Sequence, residues 1–331
     1  ISHNHRDHVD AKSLKAIIRH GHQPMILVPM GDAAYFRKMG FTKVRELEWH
    51  EEVTLRSPIT NNKITICSAP ADHRSGRKGF DSHKSLVSGW VISPKARNEI
   101  VYFAGDTARL SDVRMLSLAL DIYALYKHKK VDAGSLPQII NLEPGGPNYT
   151  RKDMQPTHQS AVDSIASAFR LAIKLAEVSA IHNPTIPAEK WLGVTATVFM
   201  HHNKFELGPD RFNENVFIYN RVCSYLKMNE SEFAAECVKQ NKKSTKWSLF
   251  HRRKDFITNG VIELRALAEN IWPDMSAENR NQKLIEFIQS RTHFPLINEK
   301  NNSQHFFQFK SGSASTIRPE TSRGVKMGVS R

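Results

Sequence analysis

The chain has 331 residues, of which 40% are hydrophobic and 24% are charged, and this composition is typical of a globular protein rather than a disordered one. It contains no run of the roughly 18 to 20 apolar residues that a membrane-spanning helix needs. Its formal net charge of +14 favours an anionic partner, such as a phosphate ester, an anionic membrane face or nucleic acid. A solvated basic surface explains the charge equally well.

Helix and strand signals alternate over the first two thirds of the sequence. Apolar residues at helical spacing predict a helix over residues 10–20, stopped by Gly21, and a second helix over residues 32–39, closed by Gly40. Short apolar or β-branched runs predict strands, and a long amphipathic run predicts a third helix. The predicted strands cover residues 25–28, 64–67, 86–92, 100–104, 138–142 and 194–200, and the long helix covers residues 159–177. This alternation predicts a layered α/β core.

The pattern changes at about residue 211. Helical segments without an intervening strand follow, over residues 217–228, 231–239, 261–271 and 277–290. The last stretch is polar and rich in Ser, Lys and Arg, which is typical of disorder. We therefore predict an α/β domain over residues 1–210, a helical C-terminal region over 211–297 and a basic, disordered tail over 298–331.

The strongest chemical signal is the motif H-x-H-x-D-H near the start of the chain. At the end of a strand, His3 and His5 point the same way, because side chains alternate with a period of two. The turn that follows can direct Asp7 and His8 towards a second, neighbouring site. Imidazole and carboxylate are ligands that zinc favours. A histidine-rich surface turn is the alternative interpretation of this motif.

Further candidate ligands lie next to predicted strands and helices. His73 and Asp106 each follow a strand, and Gly105 lets the backbone before Asp106 come close to its surroundings. His158 precedes the long helix, and His201 ends the last predicted strand. Each of these residues alone is more often a polar loop residue or a helix cap than a ligand. Together with the motif, they predict a site for two metal ions.

These residues resemble, in order and spacing, the metallo-β-lactamase superfamily. The stretches ISHNHRDHVD, VPMGDAAYFRKMGF, VRELEWHEEV, SGW, VYFAGDT and LEP resemble more narrowly the N-acyl-phosphatidylethanolamine-hydrolysing phospholipase D branch, from Ile1 to about Leu207. The resemblance implies an αββα sandwich, to which the helical C-terminal region is appended. The family's opening strands are not in this sequence, which opens on Ile1 rather than Met, so we expect a chain truncated upstream.

The resemblance implies two zinc ions, with iron or manganese as alternatives because His and Asp ligands suit all three. The implied ligands are His3, His5 and His73 for one ion, Asp7, His8 and His201 for the other, and Asp106 as the bridge. His201 is preferred to His202 because Phe205 matches a family phenylalanine four residues after the last ligand. Asp10 and Asp72 are candidates for orienting the histidines, or else belong to a solvated surface.

The activity that the resemblance implies is that of a zinc-dependent hydrolase, a phospholipase D-type phosphodiesterase acting on N-acyl-phosphatidylethanolamine-like lipids. Asp7 and Asp106 would hold the attacking hydroxide. His158 matches a family histidine beside the metals, and it would contact the phosphate or protonate the leaving group. Arg74 stands where the phospholipase has Trp, and residues 181–193 look inserted, so the acyl and headgroup preference does not carry over.

Two other functions compete with this one. A nuclease of the same superfamily, acting on RNA or DNA, suits the basic charge, but the extra motifs that nuclease branches carry after the core are not found. The third possibility is a family member that has lost its activity and only binds metal. All seven ligand positions carry His or Asp, which argues against such a loss.

A basic segment in the helical region has aromatic residues among its cations. Its residues are Lys242, Lys243, Lys246, Trp247, Arg252, Arg253 and Lys254. Such a segment suits an anionic membrane surface, nucleic-acid contact, or a solvated loop whose aromatic residues anchor it to the core. The sparse, unpaired Cys67, Cys223 and Cys237 favour a reducing compartment. We expect a cytoplasmic protein, peripheral on a membrane, with a phospholipid substrate; nucleic acid and a second copy of the chain are the other partners considered.

Overall fold

The computed structural model describes residues 1–57, 59–77, 82–129, 135–144, 157–182, 185–200, 214–244 and 252–293, with the backbone alone at 214–217, 241–244, 252–256 and 293. In chain order the elements are α1 (Ala11–Arg19), β1 (Ile26–Pro29), α2 (Ala33–Met39), β2 (Val44–Leu47), β3 (Glu52–Arg56), β4 (Lys63–Pro70), β5 (Ser88–Pro94), β6 (Glu99–Phe103), α3 (Asp112–Lys127), β7 (Gln138–Pro144), α4 (Ala161–Ile181), α5 (Ala188–Gly193), β8 (Thr195–Met200), α6 (Glu214–Leu226), α7 (Glu230–Ser244), α8 (Arg252–Ile271), α9 (Ala277–Arg291) and β9 (Thr292–His293). Every helix and strand range predicted above is present, with most ends shifted by a few residues, although α8 begins nine residues before its predicted start. The strand end assumed for His3 and His5 is wrong, because residues 1–5 belong to no strand. The sequence does not predict β2, β3, α3, α5 or β9.

The first layer consists of α1 and α2. The Asp10 side chain accepts hydrogen bonds from the amides of Lys12 and Ser13 and so begins α1, and α2 ends at Gly40, whose φ of 113° suits glycine. Buried side chains from this layer and from β1 form a small core around Phe36. The caps therefore set the two helix boundaries that the sequence predicts.

Two sheets form the middle layers. β1 and β2 pair in parallel, while the larger sheet has the order β3-β4-β5-β6-β7-β8-β9. The neighbours from β3 to β6 are antiparallel, and those from β6 to β9 are parallel. As a result, β4, β6, β7 and β8 run in the same direction, and the loops that follow them leave the sheet at one edge.

The two sheets face each other, with helices on both outer sides. Leu47 of β2 packs with Val53 of β3 and Trp90 of β5 in the core between the sheets. The other face of the large sheet is covered by α3 and α4, whose apolar residues share one core with Ile100 and Ile139. This arrangement is the αββα sandwich, and the predicted fold class is confirmed.

The C-terminal helices pack directly on the sandwich. Phe169 of α4 contacts the rings of Trp272 and Phe287 at centroid distances of 6.2 Å and 4.8 Å. The strand β9, which follows α9, extends the large sheet through the pair Thr197–Thr292. The sequence does not predict it, because two residues are too short a run to show a strand period. Residues 1–295 form one compact unit, and the boundary at residue 210 stays a prediction.

The basic segment falls largely beyond the described side chains. Lys246 and Trp247 lie outside the described residues, as does the predicted disordered tail at 298–331. The other five residues of the segment fall on α7 and α8, at positions whose side chains are not described. Of the helices in the described part of the chain, none combines the length and apolar character needed to cross a membrane.

Candidate metal centre

The histidine motif is held against the start of β5. The Ser88 amide donates a hydrogen bond to the Ser2 carbonyl (2.9 Å), and the Trp90 indole N–H donates to the Ile1 carbonyl (3.1 Å). These bonds place the motif at the sheet edge where the loops after β4, β6 and β7 emerge. Ligands commonly bind at the carboxyl ends of strands in such sheets, and this edge therefore holds the candidate site.

Three imidazoles converge on one point. His3 Nε2 lies 3.0 Å from His5 Nδ1, and His5 Nδ1 lies 3.3 Å from His73 Nε2. Nitrogen ligands about 2.0–2.1 Å from a tetrahedral metal stand roughly 3.3 Å from one another. The spacing of these nitrogens therefore fits one metal ion between them.

Asp106 joins this group to a second one. Its Oδ2 lies 2.9 Å from His8 Nε2, 3.2 Å from His158 Nε2 and 3.9 Å from His3 Nε2. The groups His3–His5–His73, His3–His8–Asp106 and His73–Asp106–His158 each have ligand atoms within 4.8 Å of one another. Because these groups share members, one carboxylate sits between neighbouring sets of candidate ligands, as a bridging residue would.

Burial keeps the innermost imidazoles neutral. It lowers the pKa of His3 to about 2, helped by the repulsion of His8, and the pKa of His73 to about 4. The pKa of His5 is also lowered, again chiefly by desolvation. A neutral imidazole carries the lone pair that a metal ligand needs, so the protonation state fits the metal as well as the spacing does.

Backbone and hydroxyl groups orient the histidines. His73 Nδ1 donates to the Thr157 carbonyl at 2.7 Å, which leaves Nε2 free of a proton, and His3 Nδ1 lies 3.1 Å from Ser2 Oγ. Asp10 and Asp72, the two aspartates predicted to orient the histidines, make other contacts. Asp10 caps α1, and Asp72 forms a 2.9 Å ion pair with Arg114.

The residues around Asp106 tie three loops together. Thr107 Oγ1 accepts from the Asp72 amide at 2.8 Å, and the Thr107 carbonyl accepts from the Gln159 amide at 3.1 Å. Gly105 has a φ of 64°, and a Cβ there would lie 2.9 Å from Ser2 Cβ. Only glycine meets both demands. The Gly105-Asp106-Thr107 turn therefore fixes the loops of His73 and His158 and packs against the motif.

Asn4, between the first two histidines, is a functional residue that sequence reasoning missed. Its side-chain amide donates to Asp32 (2.8 Å) and Ser85 (2.9 Å), and its side-chain oxygen accepts from the Gly76 amide (2.6 Å). The period-two alternation was the available signal: if His3 and His5 face the site, the residue between them faces the protein. Asn4 thus holds the histidine motif on the side that faces away from the candidate metal site.

Glu143 is a second missed residue, at the end of β7. It is buried and accepts a 3.0 Å hydrogen bond from the Gln159 side chain, which in turn accepts from Ser167 Oγ at 2.8 Å. Desolvation raises the pKa of Glu143 to about 8. Since Gln159 follows His158 directly, this network holds the segment that carries His158. Sequence reasoning missed Glu143 because it lies among the apolar residues of β7.

Two predicted ligands are not among these contacts. The Asp7 side chain is 74% exposed, its Oδ2 lies 3.7 Å from His8 Nε2, and within the described residues it joins none of the three ligand groups. His201 lies outside the described residues, as do His202 and Phe205. The ligand roles of all seven residues, and the catalytic roles of Asp7, Asp106 and His158, stay predictions.

The sequence comparisons match this geometry. Residues 1–136 match the sequence model described as the beta-lactamase superfamily domain. This part of the chain is therefore similar to that superfamily domain. Within it lie the whole histidine motif, His73 and Asp106, whereas His158 lies beyond the matched stretch.

Curated relatives narrow the resemblance within the superfamily. The mitochondrial N-acyl-phosphatidylethanolamine-hydrolyzing phospholipase D of Saccharomyces cerevisiae is 37% identical over 113 residues, covering 34% of this chain and 23% of the relative. The N-acyl-phosphatidylethanolamine-hydrolyzing phospholipase D 1 of Caenorhabditis elegans is 36% identical over 114 residues, covering 32% of this chain and 30% of the relative. These matches confirm the resemblance to that branch. The chain spans under a third of either relative's length.

One solved structure also shows partial similarity. It is that of CmlA, a diiron beta-hydroxylase from Streptomyces venezuelae, which is 18% identical and has a TM-score of 0.35, covering 60% of this chain and 34% of that chain. A similarity of this size supports no conclusion about the function of the chain studied.

Proposed function

We propose that this chain is the metal-binding part of a hydrolase that cleaves the phosphodiester of N-acyl-phosphatidylethanolamine-like lipids with two zinc ions. The convergence of His3, His8 and His158 on one buried carboxylate, that of Asp106, is the observation that carries the proposal. The lipid class is that of the two phospholipase D relatives to which the chain is similar. The basic net charge of +14 supports an anionic substrate.

In this proposal His3, His5 and His73 hold one ion, His8 contributes to the other, and Asp106 lies between them. Asp7 and His201 complete the second set, as the family resemblance implies. Two such ions, when bound, lower the pKa of a shared water towards 7 and offset the negative charge that develops on the phosphate. Iron or manganese would suit the same ligands.

The protein's own groups position and protonate the substrate. His158 Nε2 lies 3.2 Å from Asp106, and Thr157 Oγ1 lies 3.0 Å from His158 Nδ1. The contacts of Nδ1 with the Thr157 hydroxyl and of Nε2 with the Asp106 carboxylate fix the orientation of the His158 ring. We assign His158 the delivery of a proton to the leaving alcohol oxygen. We assign Asp106 the positioning of the attacking hydroxide.

The surface that meets the lipid is also a proposal. The basic segment Lys242, Lys243, Lys246, Trp247, Arg252, Arg253 and Lys254 has the composition of a peripheral membrane contact. A cytoplasmic protein docking there would bring its anionic substrate to a basic surface. The same charge also favours RNA or DNA as a substrate, which is the second candidate.

A substrate comparison tests the proposal. The zinc-loaded full chain is incubated with vesicles of N-acyl-phosphatidylethanolamine and, separately, with single-stranded RNA. We expect release of phosphatidic acid from the vesicles, and none from the Asp106→Ala variant. Cleavage of RNA alone would favour the nuclease, and no hydrolysis by metal-loaded chain would reject both enzymes in favour of a metal-binding role.

A further inference from the structure

A second polar cluster joins a serine, a histidine and an aspartate in series. Ser117 Oγ lies 2.9 Å from His50 Nε2, and His50 Nδ1 lies 3.0 Å from both carboxylate oxygens of Asp121. Ser117 and Asp121 are one turn apart on α3, and His50 lies in the turn between β2 and β3. None of these residues belongs to the three groups of metal-ligand candidates. The order of contacts is that of a nucleophile, a base and an orienting acid.

The histidine of this cluster is held in a fixed orientation. His50 has a φ of 72°, in the left-handed region that residues other than glycine rarely adopt, and its amide donates to the Ser68 carbonyl at 2.7 Å. Backbone strain of this kind persists only where the surroundings enforce it. The Asp121 carboxylate fixes the proton of His50 on Nδ1, so Nε2 is the acceptor that faces the Ser117 hydroxyl.

The aspartate end of the cluster is shielded from solvent, whereas the histidine end is exposed. The Asp121 side chain is 11% exposed, whereas the His50 side chain is 48% exposed. A reagent in solution can therefore approach the serine–histidine end while the carboxylate stays shielded. Arg114, one turn before Ser117 on the same helix, stacks over Trp49 and pairs with Asp72. Its spacing puts it on the same helix face as Ser117, and a guanidinium suits phosphoryl oxygens.

We propose that Ser117 is an activated nucleophile that becomes covalently modified by an electrophile with an activated phosphoryl centre. In this step Ser117 Oγ forms a bond to phosphorus, and the leaving group departs with the electron pair of its own bond to phosphorus. The hydroxyl proton passes to His50 Nε2. No oxidant or further reactant is needed, and the modified serine is a stable phosphoester.

The backbone around Ser117 points to a single modification rather than to turnover. Ser117 lies inside α3, where the amides donate hydrogen bonds within the helix, so they do not form the pair of free donors that an acyl or phosphoryl hydrolase aims at the developing oxyanion. Hydrolysis of the modified serine would lack this stabilisation, so we expect the group to stay on Ser117.

A fluorophosphonate reagent tests this proposal on the full chain. We expect one adduct, located on Ser117 by peptide mass mapping and formed equally with and without a metal chelator. Ser117→Ala should form none, and His50→Gln should slow its formation about 100-fold, the contribution of a general base. Asp121→Asn should slow it as well, because the amide no longer fixes the tautomer.

The control is another serine of the same helix. Ser111 begins α3 and is exposed, and Ser111→Asn keeps a side chain that caps helices well, so this variant should label like the wild type. An adduct on other serines only, or an unchanged labelling rate in a His50→Gln protein of wild-type helix content, would overturn the proposal. Both His50→Gln and Asp121→Asn retain polar side chains of similar size, so the test stands even where Ser117→Ala fails to fold.

Discussion

The loops at one edge of the large sheet and the helices from α4 to α9 use buried surface in opposite ways. The loops bury polar groups, such as His3 and Asp106, which contact neighbouring hydroxyl and imidazole groups. The helices bury rings and aliphatic chains, such as Phe169 and Phe287, against one another. The candidate metal centre therefore depends on loop geometry, whereas apolar contacts hold the helices together. Variants in the two regions should therefore fail in different ways.

The largest effect is expected from Asp106→Ala, in the loop after β6. Removing the shared carboxylate should release metal and lower hydrolysis roughly 10³-fold, with helix content unchanged. Elemental analysis of the purified variant and a rate assay measure both. Asp10→Asn, which keeps the cap of α1, is the matched control and should retain both properties. Full metal content in the Asp106→Ala variant would show that Asp106 is not a metal ligand.

The next effect belongs to the helices. Phe169→Ala removes a fully buried ring that contacts Trp272 and Phe287. It should lower the free energy of unfolding by about 3–5 kcal/mol, the usual cost of such a cavity. Denaturant titration measures the loss. The folded fraction should still bind metal, and a variant of normal stability that has lost its metal would contradict the division between the two regions.

Gly105→Ala should affect both properties at once, because it acts where the loops meet. The left-handed backbone disfavours alanine by about 1–2 kcal/mol, and the new Cβ would collide with Ser2, the neighbour of His3. Lower stability together with weaker metal affinity is expected, measured by denaturation and metal titration. Gly193→Ala is the control, since nothing lies within 4 Å of a Cβ there. Equal behaviour of the two variants would show that the Gly105 turn is not a constraint.

A change in the pH dependence of stability is expected from Glu143→Gln. Burial raises the pKa of Glu143 from its ordinary value of 4.5 to about 8, so between these pH values the folded state keeps a proton that the unfolded state releases. Stability from this group is therefore present below pH 4.5 and is lost as pH rises towards 8. The glutamine variant should gain stability relative to the wild type over that interval. Unfolding curves at several pH values that run parallel for the two proteins would argue against a protonated Glu143.

Much of the fold follows from local signals in the sequence. Asp10 and Gly40 mark helix ends through their caps, and the β-branched run before Met200 marks the buried strand β8. The helix α3 was missed because its apolar residues, including Leu118 and Ile122, are buried on a broad face, so no amphipathic period separates it from a strand. β9 was missed because it has only two residues and depends on pairing with β8.

The candidate site was predictable in its residue types but not in its supports. The spacing of His3 and His5 and the position of Asp106 after an apolar strand are visible in the sequence, although residues 1–5 belong to no strand. The Thr157 carbonyl that orients His73 cannot be found that way, since any residue supplies a carbonyl. The exposed position of Asp7 likewise depends on how the turn packs.

The most direct test of the metal centre is an X-ray absorption spectrum of the full chain loaded with zinc. The account predicts imidazole nitrogens at about 2.0–2.1 Å from the metal and a second metal at roughly 3.5–4 Å. A weaker imidazole signal in the His5→Ala variant would show that the histidine motif supplies these nitrogens. A spectrum of zinc surrounded by water oxygens alone, or a chain that retains no zinc on dialysis, would contradict the account.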